Sequence, residues 1–556
     1  MNISILISLV ISAAIGIKSG YGATVYDDIP LKDRTSVRHL IYPVPAEMHL
    51  KGGTFKLSAS DRICCDNPSR NNAEVLKREL KAIGVSSYLQ PVEAGGPCRG
   101  GIALYQASNL TENETTARVI EKAGGYHLSI SDEGVRILGT DSEGQFAGLL
   151  TLFQLIDLVD WTLPKVEISD GPELPFRGLR GHFPKDNPLE IEQFRRIVRA
   201  MTFCRLNQLW IRDLYVRRFP ASLELKRHPE LNDDDAISQS LARDLIEYAR
   251  RYNVRVMGSV SSTSDIAWSF YPELIEMRPG EHPESVPIKN EKGRTPKYRF
   301  GARFNFCPSA EQTYKLLFDI IDEMVPLFTS EVFDLGIDEV SQYENGSRWV
   351  ADDRCQGKDP VRLFAEYTNR LADYVTAKGK IPLVNSTPFI QEHGGDFHSI
   401  YESVGLIRKN IIINNWSEAF VRERRRKNLF YRFFGKADFS STVYFADHGL
   451  KKILHMVAAG NRWKDRPELL EKGDRNDFYG AFITHYTYMT GEKLNPQIIE
   501  GMSFSGNHFW SKNKPVMNSK EDNVLTRYAG LVVKNLLGGG SYLQAIRDAK
   551  FRLALP

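Results

Sequence analysis

Asp338 and Glu339 are adjacent carboxylates that close an apolar stretch, Val332-Phe333-Asp334-Leu335-Gly336-Ile337. A short run of this kind, with β-branched and aromatic members, predicts a central parallel strand covered on both faces. Two acids at its carboxyl end are costly to bury unless they are paired, hydrogen-bonded or put to chemical use. In α/β proteins the carboxyl ends of strands are where sites are assembled. A carboxyl pair there can move a proton or stabilise a developing positive charge. The competing assignment for these two residues alone is that Asp338 caps the next segment and Glu339 is a solvated loop residue.

The elements that must position the pair follow from the hydrophobic pattern. From about residue 175 strands alternate with long helical patterns. The predicted strands are Gly178–Phe183, Gln208–Arg212, Val254–Ser259, Val332–Ile337, Ile381–Asn385, Ile411–Asn415, Thr442–Phe445 and Gly480–Thr484. Between them lie helical spacings such as Ile191–Thr202, Ile237–Arg250, Glu311–Met324, Pro360–Thr376 and Pro496–Ser503. This alternation predicts an α/β fold, a (β/α)₈ TIM barrel over residues 170–515. No GxGxxG follows a strand, so a nucleotide site and the doubly wound alternative gain no support.

Upstream, residues 23–165 read as a smaller α+β domain. Tyr126–Ile130 alternates with period two, Gly134–Gly139 follows across an Asp-Glu-Gly turn, and the two predict a hairpin. Ser142–Leu155 then predicts an amphipathic helix with Ser142 as N-cap. Asn72–Ile83 carries helical spacing stopped by Gly84. Residues 516–556 read as closing helices broken at Gly538-Gly539-Gly540.

Apolar residues make up 42% of the 556 and charged ones 25%, as expected for a globular protein with ample core. The net charge of +3 comes without a basic block, which argues against nucleic acid and anionic membrane surfaces as partners. The one long apolar run, residues 3–17, is short for a membrane span. Small residues follow it at Ser19, Gly20, Gly22 and Ala23, so residues 1–22 are expected to be a signal peptide and the protein exported, periplasmic or extracellular. Six cysteines without a CxxC spacing exclude both a disulfide scaffold and a paired-cysteine zinc site. Cys98 is a candidate partner for Cys64 or Cys65. Cys307 and Cys355 flank the acidic pair and are either a bridge or two buried thiols.

These residues resemble those of glycoside hydrolase family 20, the β-N-acetylhexosaminidases, in a bacterial branch. Gly336-Ile337-Asp338-Glu339 is similar to the family's Gly-Gly-Asp-Glu motif, with Ile337 at the second glycine. The hairpin and helix at Tyr126–Leu155 resemble the small domain that precedes its barrel. Leu174–Leu179 resembles the approach to its first barrel strand, and Phe306–Ser309 and Cys355–Pro360 resemble later family segments. The resemblance implies a glycoside hydrolase acting on N-acetylated aminosugar glycans or glycoconjugates, with no metal and no organic cofactor. It makes sense of adjacent acids. A conventional retaining glycosidase needs two carboxyls about 5 Å apart across the anomeric carbon. Neighbours on a strand diverge instead. In substrate-assisted hydrolysis the substrate's 2-acetamido oxygen is the nucleophile, and one enzyme carboxyl suffices at the leaving group. The resemblance gives Glu339 the general acid/base role and gives Asp338 the orientation of the acetamido group.

Where the family carries a sugar-binding arginine after its first strand, this chain has Lys185, with Arg180 nearby. Its second strand ends Trp210-Ile211-Arg212-Asp213 in place of a Trp-His pair, and no histidine follows the third strand. Trp416, Tyr486 and Trp510 are the aromatic candidates for sugar contact, with Trp416 and Trp510 the foremost for stacking on a sugar face. The alternatives are a glycosidase of different sugar specificity on the same scaffold, or a non-catalytic carbohydrate-binding relative.

Overall fold

The computed structural model describes residues 41–338 apart from 59, 94–97, 108–121, 213–221 and 263–305, and then 354–355, 357–390, 397–415, 445, 448–457, 478–484, 499, 501–503, 506–510 and 520–554. The expected signal peptide, Glu339, Trp416 and Tyr486 lie outside these residues. The chain divides into two compact units, one of Met1–Pro172 with Trp510–Pro556 and one of Glu173–Phe509. No described helix is long and apolar enough to cross a membrane.

The first unit is α+β. Its described strands are β1 (Glu47–Lys56), β2 (Ser60–Cys65), β3 (Ser86–Pro91), β4 (Gly101–Gln106), β5 (Tyr126–Ser131), β6 (Gly134–Gly139) and β7 (Thr162–Asp170), joined in the order β1-β7-β5-β6-β4-β2-β3. The β5–β6 pair is the predicted hairpin, antiparallel from Tyr126 opposite Gly139 to Ser131 opposite Gly134. Cys64 on β2 is bonded to Cys98, with Cα atoms 6.0 Å apart, and Cys65 remains a buried thiol.

Two helices, α1 (Arg70–Ala82) and α2 (Ser142–Leu155), pack in this unit. The N-cap of α2 is Asp141 rather than Ser142. The carboxylate reaches the Gly144 N–H at 2.8 Å, which the shorter serine one residue on does not do. The expected amphipathicity is also corrected, because α2 is buried on every side from Gly144 to Leu155. One face lies on the sheet, and the other is covered by the C-terminal helix Tyr542–Ala554. The Tyr542 ring lies 6.1 Å from Phe153 and 6.3 Å from Phe146. The closing helices, Lys520–Leu537 and Tyr542–Ala554, thus complete the first unit.

In that packing the Lys550 ammonium donates to the Gln154 carbonyl, and desolvation pulls its pKa down to about 8, against the pull of Asp157. The unfolded value lies near 10.5. The charged form is therefore penalised in the fold. The full cost stands below pH 8 and is relieved as the pH rises towards the unfolded value. Lys550→Met is expected to raise the melting temperature at pH 7, because the relief of desolvation outweighs about 1 kcal/mol for the lost hydrogen bond. The increment should shrink steadily between pH 8 and the unfolded pKa in a thermal-shift series. An unchanged difference across that range would contradict the assignment.

The second unit is a near-closed parallel barrel. The eight described strands are β8 (Phe176–Gly181), β9 (Gln208–Ile211), β10 (Arg255–Met257), β11 (Val332–Asp334), β12 (Ile381–Asn385), β13 (Ile412–Asn415), β14 (Lys452–Val457) and β15 (Phe478–Thr484). Their order is β10-β9-β8-β15-β14-β13-β12-β11. The ends of that series meet through a parallel bridge between Ser259 and Asp334. The Asp334 N–H donates to Gly258 at 3.1 Å, and the Val260 N–H donates to Asp334 at 2.9 Å.

One apolar cluster takes a single residue from every strand: Phe176, Trp210, Met257, Val332, Leu383, Ile412, Ile453 and Phe482. This is the filled interior of a (β/α)₈ barrel. The described helices α3 (Pro188–Phe203), α4 (Gln239–Arg251), α5 (Glu311–Met324) and α6 (Pro360–Ala377) follow the predicted spacing. Asn187, Ser238 and Asp359 cap α3, α4 and α6 through their side chains.

The seventh strand is Lys452–Val457 rather than the expected Thr442–Phe445. Phe445 is helical and buried, and residues 441–444 lie outside the described set. Both segments are rich in β-forming residues. What separates them is the turn between, where Gly449 has φ +69 and the strand starts beyond it.

Candidate active site

The interior cluster fixes which side chains point into the barrel. Successive strand residues alternate faces, so positions two and four beyond each cluster residue share its inward side. Counting from Trp210 gives Arg212, and from Leu383 it gives Asn385, while Thr387 follows the strand in a short 3₁₀ turn, Thr387–Phe389. From Ile412 it gives Asn414, and from Phe176 it gives Gly178 and Arg180. Counting from Val332 gives Asp334; beyond it the left-handed Gly336 ends the alternation, and Asp338 is placed by its own hydrogen-bond partners. A polar set therefore gathers at the carboxyl end of the barrel, above an apolar plug. Asn385 and Asn414 are both fully buried, and the Asn414 amide donates to Asn385 at 2.6 Å.

The segment that delivers Asp338 is held from both sides. Leu335 N–H donates to Leu383 at 2.9 Å, and Asn385 N–H donates to Ile337 at 3.0 Å, so the run stays bonded to β12 beyond Asp334 with its register shifted by two residues around Gly336. Facing β10, the Leu335 carbonyl accepts from the Ser262 N–H at 3.2 Å and from its hydroxyl at 2.6 Å. The Tyr367 hydroxyl of α6 in turn donates to the Ser262 carbonyl. Between these anchors Gly336 turns the chain with φ +61. A β-carbon there would stand 2.2 Å from the Val260 carbonyl oxygen and 2.8 Å from Ser261 Cα. Only glycine allows the approach.

Asp338 is mostly buried, and each carboxylate oxygen has a donor. Arg212 Nη2 reaches Oδ2 at 2.7 Å, and Thr387 Oγ1 reaches Oδ1 at 2.7 Å. Arg212 is itself only 11% exposed and lies over the Trp210 ring at 5.7 Å. Arg180 approaches the same ring at 5.8 Å. Trp210 is fully buried and packs against Phe482, with centroids 4.9 Å apart. Two guanidinium groups and a carboxylate thus converge around one aromatic ring of the plug.

The other expected site residues fall as follows. Arg180 belongs to the inward set at the carboxyl end of β8. Lys185 lies beyond that strand, half-exposed, with its ammonium 2.7 Å from Asp235. The Asp235 hydrogen bond and charge raise its pKa. Trp510 is 1% exposed and groups with the first unit, where its indole N–H donates to the Asp170 carboxylate at 2.7 Å. That ring is a packing element there, because a face so fully covered is closed to a sugar. Cys307 and Cys355 are buried thiols with sulfurs 3.8 Å apart.

The residues that sequence reasoning missed are Thr387 and the Asn385–Asn414 pair, and it noted Arg212 only as a departure. Arg212, Asn385 and Asn414 each lie two residues beyond an apolar interior position, but which of them meet, and where Thr387 falls, is decided only by the assembled barrel.

The family model described as glycosyl hydrolase family 20, domain 2, matches residues 38–171. That described as the family 20 catalytic domain matches residues 176–429. The chain belongs to glycoside hydrolase family 20. The first family 20 match covers most of the α+β unit, and the second covers β8 to β13 together with Asp338 and Glu339.

A β-hexosaminidase of Porphyromonas gingivalis is 26% identical over 346 residues, which is 57% of this chain and 40% of that protein. A lacto-N-biosidase of Bifidobacterium bifidum is 23% identical over 416 residues, 70% of this chain and 33% of that protein. The chain therefore spans less than half the length of either relative. Among solved structures, a family 20 exo-β-N-acetylglucosaminidase of Vibrio harveyi in complex with N-acetylglucosamine superposes with a TM-score of 0.62 at 16% identity. That match covers 90% of this chain and 78% of the other. At this identity the likeness establishes the shared fold.

Proposed function

We propose that the protein is a β-N-acetylhexosaminidase-type glycoside hydrolase that works with retention by substrate assistance. The observation that carries this reading is the presentation of Asp338. Its carboxylate stands at the carboxyl end of the barrel with Arg212 donating to one oxygen and Thr387 to the other, and Glu339 is the next residue.

In the first step the 2-acetamido oxygen attacks the anomeric carbon as the glycosidic C–O bond breaks. Glu339 gives its proton to the departing oxygen. Asp338 accepts from the acetamido N–H and stabilises the positive oxazolinium that forms. In the second step Glu339 takes a proton from water, and the water oxygen opens the ring at the same carbon. Arg180, Trp416 and Tyr486 are proposed sugar contacts, and Lys185 is a proposed contact at the rim. The substrates are terminal N-acetylated aminosugars of glycans or glycoconjugates. Export through residues 1–22 belongs to the same reading, since such polymers lie outside the cytoplasm.

The test is a paired panel of chromogenic glycosides, the N-acetyl-β-glucosaminide and -galactosaminide against the plain β-glucoside and -galactoside. Turnover confined to the N-acetyl pair is expected. Comparable turnover of the plain sugars would demand a protein nucleophile and would overturn the mechanism. Asp338→Asn should lower kcat on the N-acetyl substrates by about 10²-fold, because the amide keeps the shape but loses the charge facing the oxazolinium. A change in KM alone would contradict that role.

A further inference from the structure

Asp338 is held by two strands that are not its own. Each carboxylate oxygen can accept more than one hydrogen bond. Arg212 from the end of β9 occupies one direction on Oδ2, and Thr387 beyond β12 occupies one on Oδ1. We infer that Arg212 and Thr387 are positioning residues that fix the plane of the Asp338 carboxylate, and thereby set the enzyme's preference for a 2-acetamido over a 2-hydroxyl sugar. The inference rests on the substrate-assisted reading above.

Three observations support it. First, a carboxylate free to turn about its side-chain torsions would present its lone pairs to the N–H only part of the time. A clamp on both oxygens removes that freedom. Second, the clamp is itself rigid. Arg212 lies over Trp210, and Trp210 belongs to the filled interior against Phe482. Third, the donors suit the task. A planar guanidinium fixes direction as well as charge, which an ammonium does not.

The positive charge of Arg212 opposes a second positive charge forming nearby. Coulomb energy falls with distance, however, and the oxazolinium N–H would touch Asp338 directly, whereas Arg212 would act on it only through that carboxylate. The nearer charge prevails, so the clamp gains orientation and gives up only part of the attraction.

The test compares Arg212→Ala, Arg212→Lys, Thr387→Val and Thr387→Ser in the full chain. The readouts are kcat and KM on an aryl N-acetyl-β-glucosaminide, and inhibition by the thiazoline analogue of the cyclised sugar. Arg212→Ala is expected to lower kcat by about 10²-fold, the scale of an ångström-sized misplacement, with KM changed by no more than about threefold. Thiazoline affinity should fall in parallel. Added guanidinium ion should recover about tenfold of the lost kcat, a rescue that mere destabilisation would not show. Arg212→Lys should be intermediate. Thr387→Val should cost about tenfold, and Thr387→Ser should restore most of it.

If Arg212→Ala does not fold, the two Thr387 variants decide the matter. Unchanged kcat and thiazoline affinity in the variants would overturn the positioning role, as would a loss confined to KM. A wild-type enzyme that ignores the thiazoline or cleaves plain glucosides would instead bring down the functional reading itself, so the two failures are distinguishable.

Discussion

Glu339→Gln is expected to lower kcat by about 10³-fold on natural glycans, within the 10²–10⁴ range of general acid–base catalysis. Glutamine keeps the shape of the side chain but has no proton to give the leaving oxygen. The size of the loss should depend on that leaving group. An aryl glycoside with a good leaving group needs little protonation, so its first step should be spared relative to an alkyl or sugar aglycone. Water attack on the oxazolinium still needs the base. Azide, a nucleophile that needs no proton removed, should then partly rescue the aryl substrate and yield the β-azide. Equal losses on good and poor leaving groups, without rescue, would place the acid elsewhere. The limb of the wild-type pH profile that falls towards alkaline pH reports loss of the acid form. It should disappear in the variant.

The second large effect is expected at Gly336. The residue is left-handed, and a β-carbon would fall 2.2 Å from the Val260 carbonyl oxygen. The conformational term for alanine is about 1–2 kcal/mol. The backbone displacement needed to relieve the contact adds to it, giving roughly 3 kcal/mol or more of lost stability. The displacement falls two residues before Asp338 and three before Glu339, so activity should fall further than stability explains. Assayed well below its melting temperature, Gly336→Ala should retain about 1% of wild-type kcat, as for a small misplacement of catalytic groups. Gly379 makes a useful control, since it is also left-handed at φ +76 but has open space where an alanine methyl group would stand. Gly379→Ala should show the conformational cost alone, with kcat unchanged. Near-wild-type activity in Gly336→Ala would mean that the strand end tolerates movement.

Much of the fold was legible because its signals are periodic and repeated. The strands carrying Gln208, Val332, Ile381, Ile412 and Gly480 were readable as short apolar runs between helical spacings. The hairpin at Tyr126–Gly139 was readable as strict alternation. The seventh strand was misplaced because two neighbouring segments have similar β-propensity, and only the tertiary ladder chooses between them. The helix at Ser142–Leu155 looked amphipathic because its covering partner, Tyr542, lies some 390 positions further along the chain. The position of Asp338 at the carboxyl end of a barrel strand was readable from the stretch that precedes it. Its partners were not, since Arg212 and Thr387 come from other strands and meet it only through barrel register. Trp510 shows the opposite hazard. An aromatic near the end of the barrel sequence invites a ligand role, yet its N–H is held by Asp170.

The barrel has a seam, and the segment that carries Asp338 lies along it. The pairing of β10 with β11 is a single bridge at Ser259 and Asp334, extended by irregular hydrogen bonds around Gly336, whereas β14 and β15 run in register for most of six residues. Regions with few ordered backbone bonds open at lower free energy than the rest of a fold. In native-state hydrogen exchange the Val260, Ser262 and Asp334 amides should therefore exchange before those of β12 and β13. A ligand that engages Asp338 binds the closed seam in preference to the open one, and so should slow that exchange as it saturates. The protein would then report a ligand at Asp338 as local protection on both sides of the seam, without any domain needing to move.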